Sequence, residues 1–273
     1  VTTVFFLATM LWGWVAAWVA QVLFTYTFGW FVASPTRLEF WNGYLFRLLS
    51  AAPPSRYVPG ISVTKTATSW RPPKEVVNGK KGVLVVANHR SFMDPFALGS
   101  AMLPLETKYV AKYDLFKVPF GGWAMKRAGD LAVKFDKNKN KGWGTVKGST
   151  GLLLEKAATQ LAAGNSVAIF PEGTRMGFDA DRCKEAAEHV SKLAPFKAPF
   201  FDLAKKLEVP VVCVAIKGTD DVWPVGSNMM RPARIIVDVA EPLETSKFDT
   251  GEALAAAARA KLGSMYHALC ETY

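Results

Sequence analysis

From Val1 to Thr36 the chain contains no Asp, Glu, Lys, Arg or His. Thirty residues of this kind, as one straight helix, reach roughly 45 Å, against a bilayer hydrocarbon core of about 30 Å. Residues 1–36 are therefore expected to form a membrane anchor, either one strongly tilted helix or two shorter ones, with Gly13 and Gly29 as weak points. A cleavable signal peptide is not the expectation, because the apolar region is long for one and shows no basic region at its start. Trp12, Trp14, Trp18, Trp30 and Trp41 supply indoles suited to the interfacial layer. Charge returns with Arg37, Arg47, Arg56 and Lys65, and positive flanks of this kind stay on the cytosolic side.

Beyond the anchor, residues 37–60 have an amphipathic first half, and a Pro/Gly-bearing second half, "AAPPSRYVPG", that reads as a linker. Residues 61–273 change to a globular rhythm. Short apolar runs at 82–87, 107–111, 131–135, 166–170, 210–216 and 234–239 suit buried strands. Helix-length segments lie at 94–103, 119–128, 145–163, 196–207 and 250–270. Alternation at this spacing predicts an α/β fold, a mixed, largely parallel sheet flanked by helices, preceded by the N-terminal membrane-anchoring segment. The basic, Gly-rich run at 134–149 reads as a solvated loop.

The net charge of +10 favours an anionic partner. The basic residues are scattered, no nucleic-acid reader motif is present, and the chain opens on a membrane segment, so a lipid surface or a phosphorylated substrate fits better than nucleic acid. Cys183, Cys213 and Cys270 are widely spaced, which argues against a disulfide framework and against a structural zinc site.

Two motifs carry chemistry. In "VANHRSFMDP", residues 86–95, a strand ends near Ala87 and a helix begins at Asp94-Pro95, with Asp94 as N-cap and Pro95 in the first helical position. On the turn between them the Asp94 carboxylate can reach back to the His89 imidazole. A histidine so oriented is suited to general-base work near neutral pH. A metal site would need more ligands than the sequence offers nearby, and Ser91 lacks the GxSxG setting of a nucleophile, so it is read as shaping the turn. In "VAIFPEGTR", residues 167–175, a second strand runs into a polar turn. Gly173 permits a sharp turn and close approach, Thr174 offers a hydroxyl, Arg175 a planar fork suited to phosphate, and Glu172 a partner for Arg175 or for a substrate hydroxyl. Ligands gather at the carboxyl ends of strands in open α/β sheets, so both turns are expected to face one crevice.

The NHxxxxD pattern of His89 to Asp94, followed by FPEGTR at 170–175, resembles the glycerolipid acyltransferase family, and within it most closely the 1-acyl-sn-glycerol-3-phosphate (lysophosphatidic acid) acyltransferases. Two further blocks agree: "KYDLFKVPFGGWAMKRAGDLAV" at 112–133 and "VPVVCVAIKGT" at 209–219. The likeness covers roughly residues 75–245. Lys134-Phe135 stands where the family often carries an Asp-Arg pair, and the segment Met176 to Leu193 is longer than the family pattern.

The resemblance implies transfer of a fatty acyl group from acyl-CoA, with an acyl carrier protein as the alternative donor, to the sn-2 hydroxyl of lysophosphatidic acid. His89 and Asp94 would be catalytic; Glu172, Gly173, Thr174, Arg175, Lys112 and Lys134 would bind substrate. It implies no metal and no cofactor, acyl-CoA being a substrate. The partners implied are the lipid bilayer, lysophosphatidic acid and acyl-CoA. The setting implied is an integral membrane protein with its catalytic domain on the cytosolic side, of the endoplasmic reticulum first, with a bacterial inner membrane or a plastid as alternatives. An acyltransferase with another acceptor, glycerol 3-phosphate or a different lysophospholipid, and a catalytically silent membrane-shaping protein are the competing readings.

Overall fold

The computed structural model describes residues 1–136, 144–145, 148–173 and 193–273. The chain opens with α1 (Thr2–Phe28), which passes at Gly29 into a single 3-10 turn, Gly29–Phe31. Ser34 then caps α2 (Pro35–Phe46) by accepting from the Arg37 N–H. A π-helical turn, Arg47–Ala51, leads into α3 (Ala52–Tyr57). The stretch read as a Pro/Gly linker is thus largely helical. Pro53 and Pro54 fall in the first turn of α3, where a missing N–H and a fixed φ suit a helix start.

The globular part follows as β1 (Ile61–Lys65), α4 (Lys74–Val77), β2 (Leu84–Ala87), α5 (Asp94–Met102), β3 (Thr107–Lys112), α6 (Gly121–Arg127) and β4 (Leu131–Val133). Next come β5 (Phe135–Asp136), β6 (Gly144–Thr145), α7 (Ser149–Ala162), β7 (Ser166–Ile169) and α8 (Pro199–Lys206). The chain closes with β8 (Val211–Lys217), α9 (Thr219–Val222), β9 (Ala233–Val239) and α10 (Gly251–Thr272). Part of the run read as a solvated loop pairs as the short antiparallel ribbon β5–β6; residues 137–143 and 146–147 lie outside the described residues.

Seven strands form one sheet in the order β1-β9-β8-β2-β7-β3-β4. Every pairing in it is parallel except that of β8 with β9, so the sheet is mixed and largely parallel as expected. Alternate side chains of its strands feed two cores. One lies between the sheet and α7, α8 and α10, and contains Val211, Cys213, Ala215, Phe201 and Leu262. The other lies on the opposite face, and joins Val212, Val214 and Ile216 to α5 and to Phe6 of α1.

The helical run Thr2–Phe31 is the one, among the described residues, long and apolar enough to cross a membrane. It does not stand free. Phe6, Gly13, Ala17 and Gln21 form a buried stripe at near-helical spacing along one face. Gly13 is required there, since a Cβ would sit 2.3 Å from the Leu49 carbonyl oxygen. The Gln21 amide donates to the carbonyls of Asn42 (2.8 Å) and Ala124 (3.2 Å). The opposite face leaves Val4, Leu11, Trp12, Val15 and Leu23 exposed.

Below α2 lies a buried ion pair, Arg47 with Asp130. Arg47 also donates to the Thr107 carbonyl through Nε (3.2 Å) and Nη2 (3.0 Å), and Asp130 accepts from the Tyr109 N–H (2.8 Å). These bonds tie the N-terminal helices to β3. Arg47→Met alone strands a buried carboxylate and is expected to cost about 3–5 kcal/mol. Adding Asp130→Leu should restore much of that stability, as read from denaturant melts of the two proteins.

Candidate active site

The apolar run Leu84–Ala87 is fully buried as β2, and Ser166–Ile169 is equally buried as β7. The two strands pair in parallel with Val86 opposite Ile169, so the turns that follow leave the sheet side by side. The connection from β2 crosses on the α5 face and that from β7 reaches α8 on the other face. This reversal makes the gap above β2 and β7 a topological switch point, where α/β sheets open a crevice.

Asn88 extends β2 by one more rung: its side-chain amide donates to the Ile216 carbonyl (2.8 Å) and accepts from the Ile216 N–H (2.8 Å). With Asn88 pinned, His89 turns out of the strand and its side chain is about one-fifth exposed. Its ring stacks on Phe170, centroids 4.3 Å apart. Nδ1 lies 2.7 Å from Asp94 Oδ2, which leaves Nε2 as the nitrogen open to a reacting group.

Asp94 is wholly buried. Its Oδ2 also accepts from the N–H groups of Arg90 (2.6 Å) and Ser91 (2.7 Å), and its Oδ1 from the Thr219 hydroxyl. The expectation of Asp94 as N-cap needs correcting. Met93 occupies the cap position, Asp94 is the first residue of α5, and its carboxylate serves the turn behind it rather than the helix ahead. Such a constellation gives the buried carboxylate its hydrogen-bond partners and holds the imidazole in one orientation. Ser91 shapes the turn: its hydroxyl donates to the Trp223 carbonyl (2.7 Å) and accepts from the Met93 N–H (3.1 Å).

Glu172 locks the two turns together. Oε1 accepts from the His89 N–H (3.0 Å) and Oε2 from the Ala194 N–H (3.1 Å). Burial raises its carboxyl above the ordinary range, opposed by those two N–H groups and by the nearby Arg90 and His89 charges. Gly173 has φ +70, and a Cβ there would lie 2.8 Å from Lys197 Nζ. That positive φ is a glycine conformation.

The structure therefore brings His89, Asp94, Glu172 and Gly173 to one place. Thr174 and Arg175 lie outside the described residues, as does Cys183. Lys112 ends β3, next in the sheet to β7, and pairs with Asp114 at 3.1 Å; Lys134, just past β4, lies with Nζ 4.7 Å above the Tyr113 ring. Both stand at the same pole of the sheet, turned toward the Tyr113–Lys117 turn.

Sequence reasoning passed over Asn88, Arg90, Lys197 and Thr219. Thr219 had a signal: "AIKGT" is a third apolar strand ending in a Gly-bearing polar turn, and β8 lies beside β2. Phe196-Lys197 stands where the family pattern carries an FK pair, but that Lys197 lies over Gly173 depends on the fold. Arg90 is 6% exposed, its guanidinium stands 4.9 Å over the Tyr266 ring, and its Nε and Nη2 have no hydrogen-bond partner among the described residues.

A family model described as acyltransferase matches residues 71–217, more than half of the chain. The chain is 31% identical over 165 residues to the chloroplastic 1-acyl-sn-glycerol-3-phosphate acyltransferase BAT2 of Brassica napus, a match spanning 60% of this chain and 41% of that protein. It is 26% identical over 175 residues to the 1-acyl-sn-glycerol-3-phosphate acyltransferase of Bacillus subtilis, spanning 64% of this chain and 73% of that one. The chain thus spans about two fifths of the length of the Brassica relative. The crystal structure of the 1-acyl-sn-glycerophosphate (LPA) acyltransferase PlsC from Thermotoga maritima shares the fold, with a TM-score of 0.68 at 19% identity over 100% of this chain and 96% of that one.

Thr219→Val removes the donor to Asp94 Oδ1 while keeping the side-chain shape. A hydrogen bond to a charged group of this kind contributes enough that kcat is expected to fall about tenfold. The check is a steady-state assay beside a thermal melt that shows the fold intact.

Proposed function

The chain belongs to the acyltransferase family, and on that premise we propose that it moves a fatty acyl group from acyl-CoA to the sn-2 hydroxyl of lysophosphatidic acid, giving phosphatidic acid at a membrane surface. The observation that supports this most is His89, held by the buried Asp94 at the exit of β2 and joined through its own N–H to Glu172 of the neighbouring turn.

In this reading His89 Nε2 takes the proton of the acceptor hydroxyl as its oxygen attacks the thioester carbonyl. Asp94, held by two backbone N–H groups and Thr219, stabilises the imidazolium that forms. The tetrahedral adduct collapses, the C–S bond breaks, and the thiolate leaves and takes up the proton that His89 carried. No covalent enzyme intermediate is needed, because a thiolate is already a good leaving group. Base catalysis of this kind contributes roughly 10²–10⁴-fold, and alignment of two bound substrates adds to it. Glu172, Gly173, Thr174 and Arg175 form the seat for the glycerol phosphate, with Lys112 and Lys134 further along the same pole.

The bilayer enters through α1. Since one face of that helix is docked along the domain, the opposite apolar face is the part that meets lipid, and it carries the domain with it to the membrane surface. Positive residues after α1 favour the cytosolic side. Leu11→Lys with Val15→Lys, both on the exposed face, is expected to move the protein out of the vesicle fraction in a flotation assay without lowering its melting temperature.

The reaction is tested by acyl-CoA-dependent thiol release from the membrane-reconstituted chain, offered lysophosphatidic acid, glycerol 3-phosphate and lysophosphatidylcholine in parallel. We expect release with lysophosphatidic acid, and a loss of at least about 10²-fold in His89→Ala. Preference for another acceptor would keep the base and change the substrate. No release with any acceptor, from protein shown to be folded and inserted, would overturn the reading.

A further inference from the structure

Three cations stand in a row on the face of the sheet that α10 covers, beginning beside the base. Arg90, next to His89, has its guanidinium over Tyr266; Lys217, the last residue of β8, has Nζ 3.5 Å from the Leu269 carbonyl; Arg234, near the start of β9, lies 5.7 Å from the Tyr273 ring. Their partners, residues 266, 269 and 273, climb one side of the last turns of α10 and its end, over roughly 10 Å at 1.5 Å per residue. The strands they leave, β2, β8 and β9, are consecutive in the sheet. At about 4.8 Å between strands, this again gives a row roughly 10 Å long. Because β9 is antiparallel to β8, its beginning lies at the same pole as the ends of β8 and β2.

The far end of the row opens into a cavity of about 310 Å³ lined by Lys217, Gly218, Asp221, Ala233, Arg234 and Tyr273. At the near end, Arg90 is buried with Nε and Nη2 unpartnered among the described residues. A buried guanidinium without acceptors is costly unless an anion completes it. Asp220 and Glu172 lie close enough to Arg90 to feel its charge, and Asp221 lines the cavity, so three carboxylates temper the three positive charges.

We propose that this row seats the phosphate groups of the nucleotide end of the acyl thioester, with the cavity between β8, β9 and Tyr273 taking the outermost part. The inference rests on acyl-CoA being the donor. The two faces of the sheet decide between a nucleotide and a lipid headgroup. α1 and its exposed apolar surface belong to the α5 face, from which a lipid acceptor arrives. The row lies on the α10 face, whose core contains no α1 residue among those described, and there a highly charged, water-soluble group stays out of the bilayer. A single headgroup phosphate needs one cluster of donors; a diphosphate followed by a nucleoside phosphate needs a line of them.

The test is calorimetric binding of free coenzyme A to the whole protein in detergent, which does not depend on turnover. Lys217→Gln and Arg234→Gln, at half-buried and exposed positions, are each expected to weaken binding about tenfold, and Asp221→Asn to tighten it, since charge-assisted contacts to phosphate are of that strength. In assays, the two Gln variants should raise KM for acyl-CoA more than KM for an acyl-N-acetylcysteamine thioester, which lacks the nucleotide. Unchanged coenzyme A affinity in both variants would overturn the proposal. So would weakening confined to anionic vesicles in flotation, which would make the row a headgroup site. A wild-type protein that binds coenzyme A through these residues yet transfers no acyl group would leave the site standing and sink only the reaction assigned to the chain.

Discussion

The parallel pairing of Leu84–Val86 with Val167–Ile169 is the contact on which the catalytic pole depends. Neither strand makes sense alone: each is a fully buried run of four residues whose backbone must be paired on both sides. Their register places residue 89 beside residue 172, and the Glu172 carboxylate converts that proximity into a bond to the His89 N–H. β8 then adds the third member, since Asn88 pairs with Ile216 and Thr219 reaches Asp94. The imidazole is oriented by groups from three adjacent strand exits, which is why its geometry is held by the sheet and not by the turn alone.

The N-terminal third is held by a different device. α1 seats on the π-helical turn through close backbone approach at Gly13, and the N-terminal helices meet the sheet through buried polar groups, Arg47 with Asp130 and Glu106 with Lys108 at 3.0 Å. Burial pushes Glu106 up to about 7, with Lys108 and Arg47 opposing. A charged network of this type stabilises little against an apolar equivalent, but it is costly to break and fixes one arrangement. One face of α1 is thereby committed to the domain and the opposite, apolar face is left exposed. α1 packs on the catalytic domain.

How much was legible follows from the kind of signal each element left. Strands at 82–87, 166–170, 210–216 and 234–239 showed because burial on both faces demands unbroken apolar runs. β1 did not: Ile61–Lys65 is an edge strand with one side chain buried and polar residues between, and it looks like loop. Residues 51–57 were misread because Pro53-Pro54 suggest a break, whereas at the start of a helix they cost nothing. The His89–Asp94 pair could be anticipated since both lie on one turn, five residues apart. Thr219, Lys197 and Arg90 could not be placed, because their partners are far off in sequence or on another element.

By itself, then, the sequence determined the local chemistry: an apolar, uncharged N-terminus, strands set by hydrophobic runs, and two polar turns, one carrying His89 and Asp94, the other Glu172 and Gly173. Only the tertiary structure decided how these add up. It set β2, β7 and β8 side by side, turned Asp94 back into its own loop, docked one face of α1, and lined up Arg90, Lys217 and Arg234 along α10. The physical reason is range. Periodicity and turn preference act over a few residues, whereas the bonds that tie the His89–Asp94 turn to Glu172 and Thr219 join groups 83 and 125 positions apart, which no local pattern encodes.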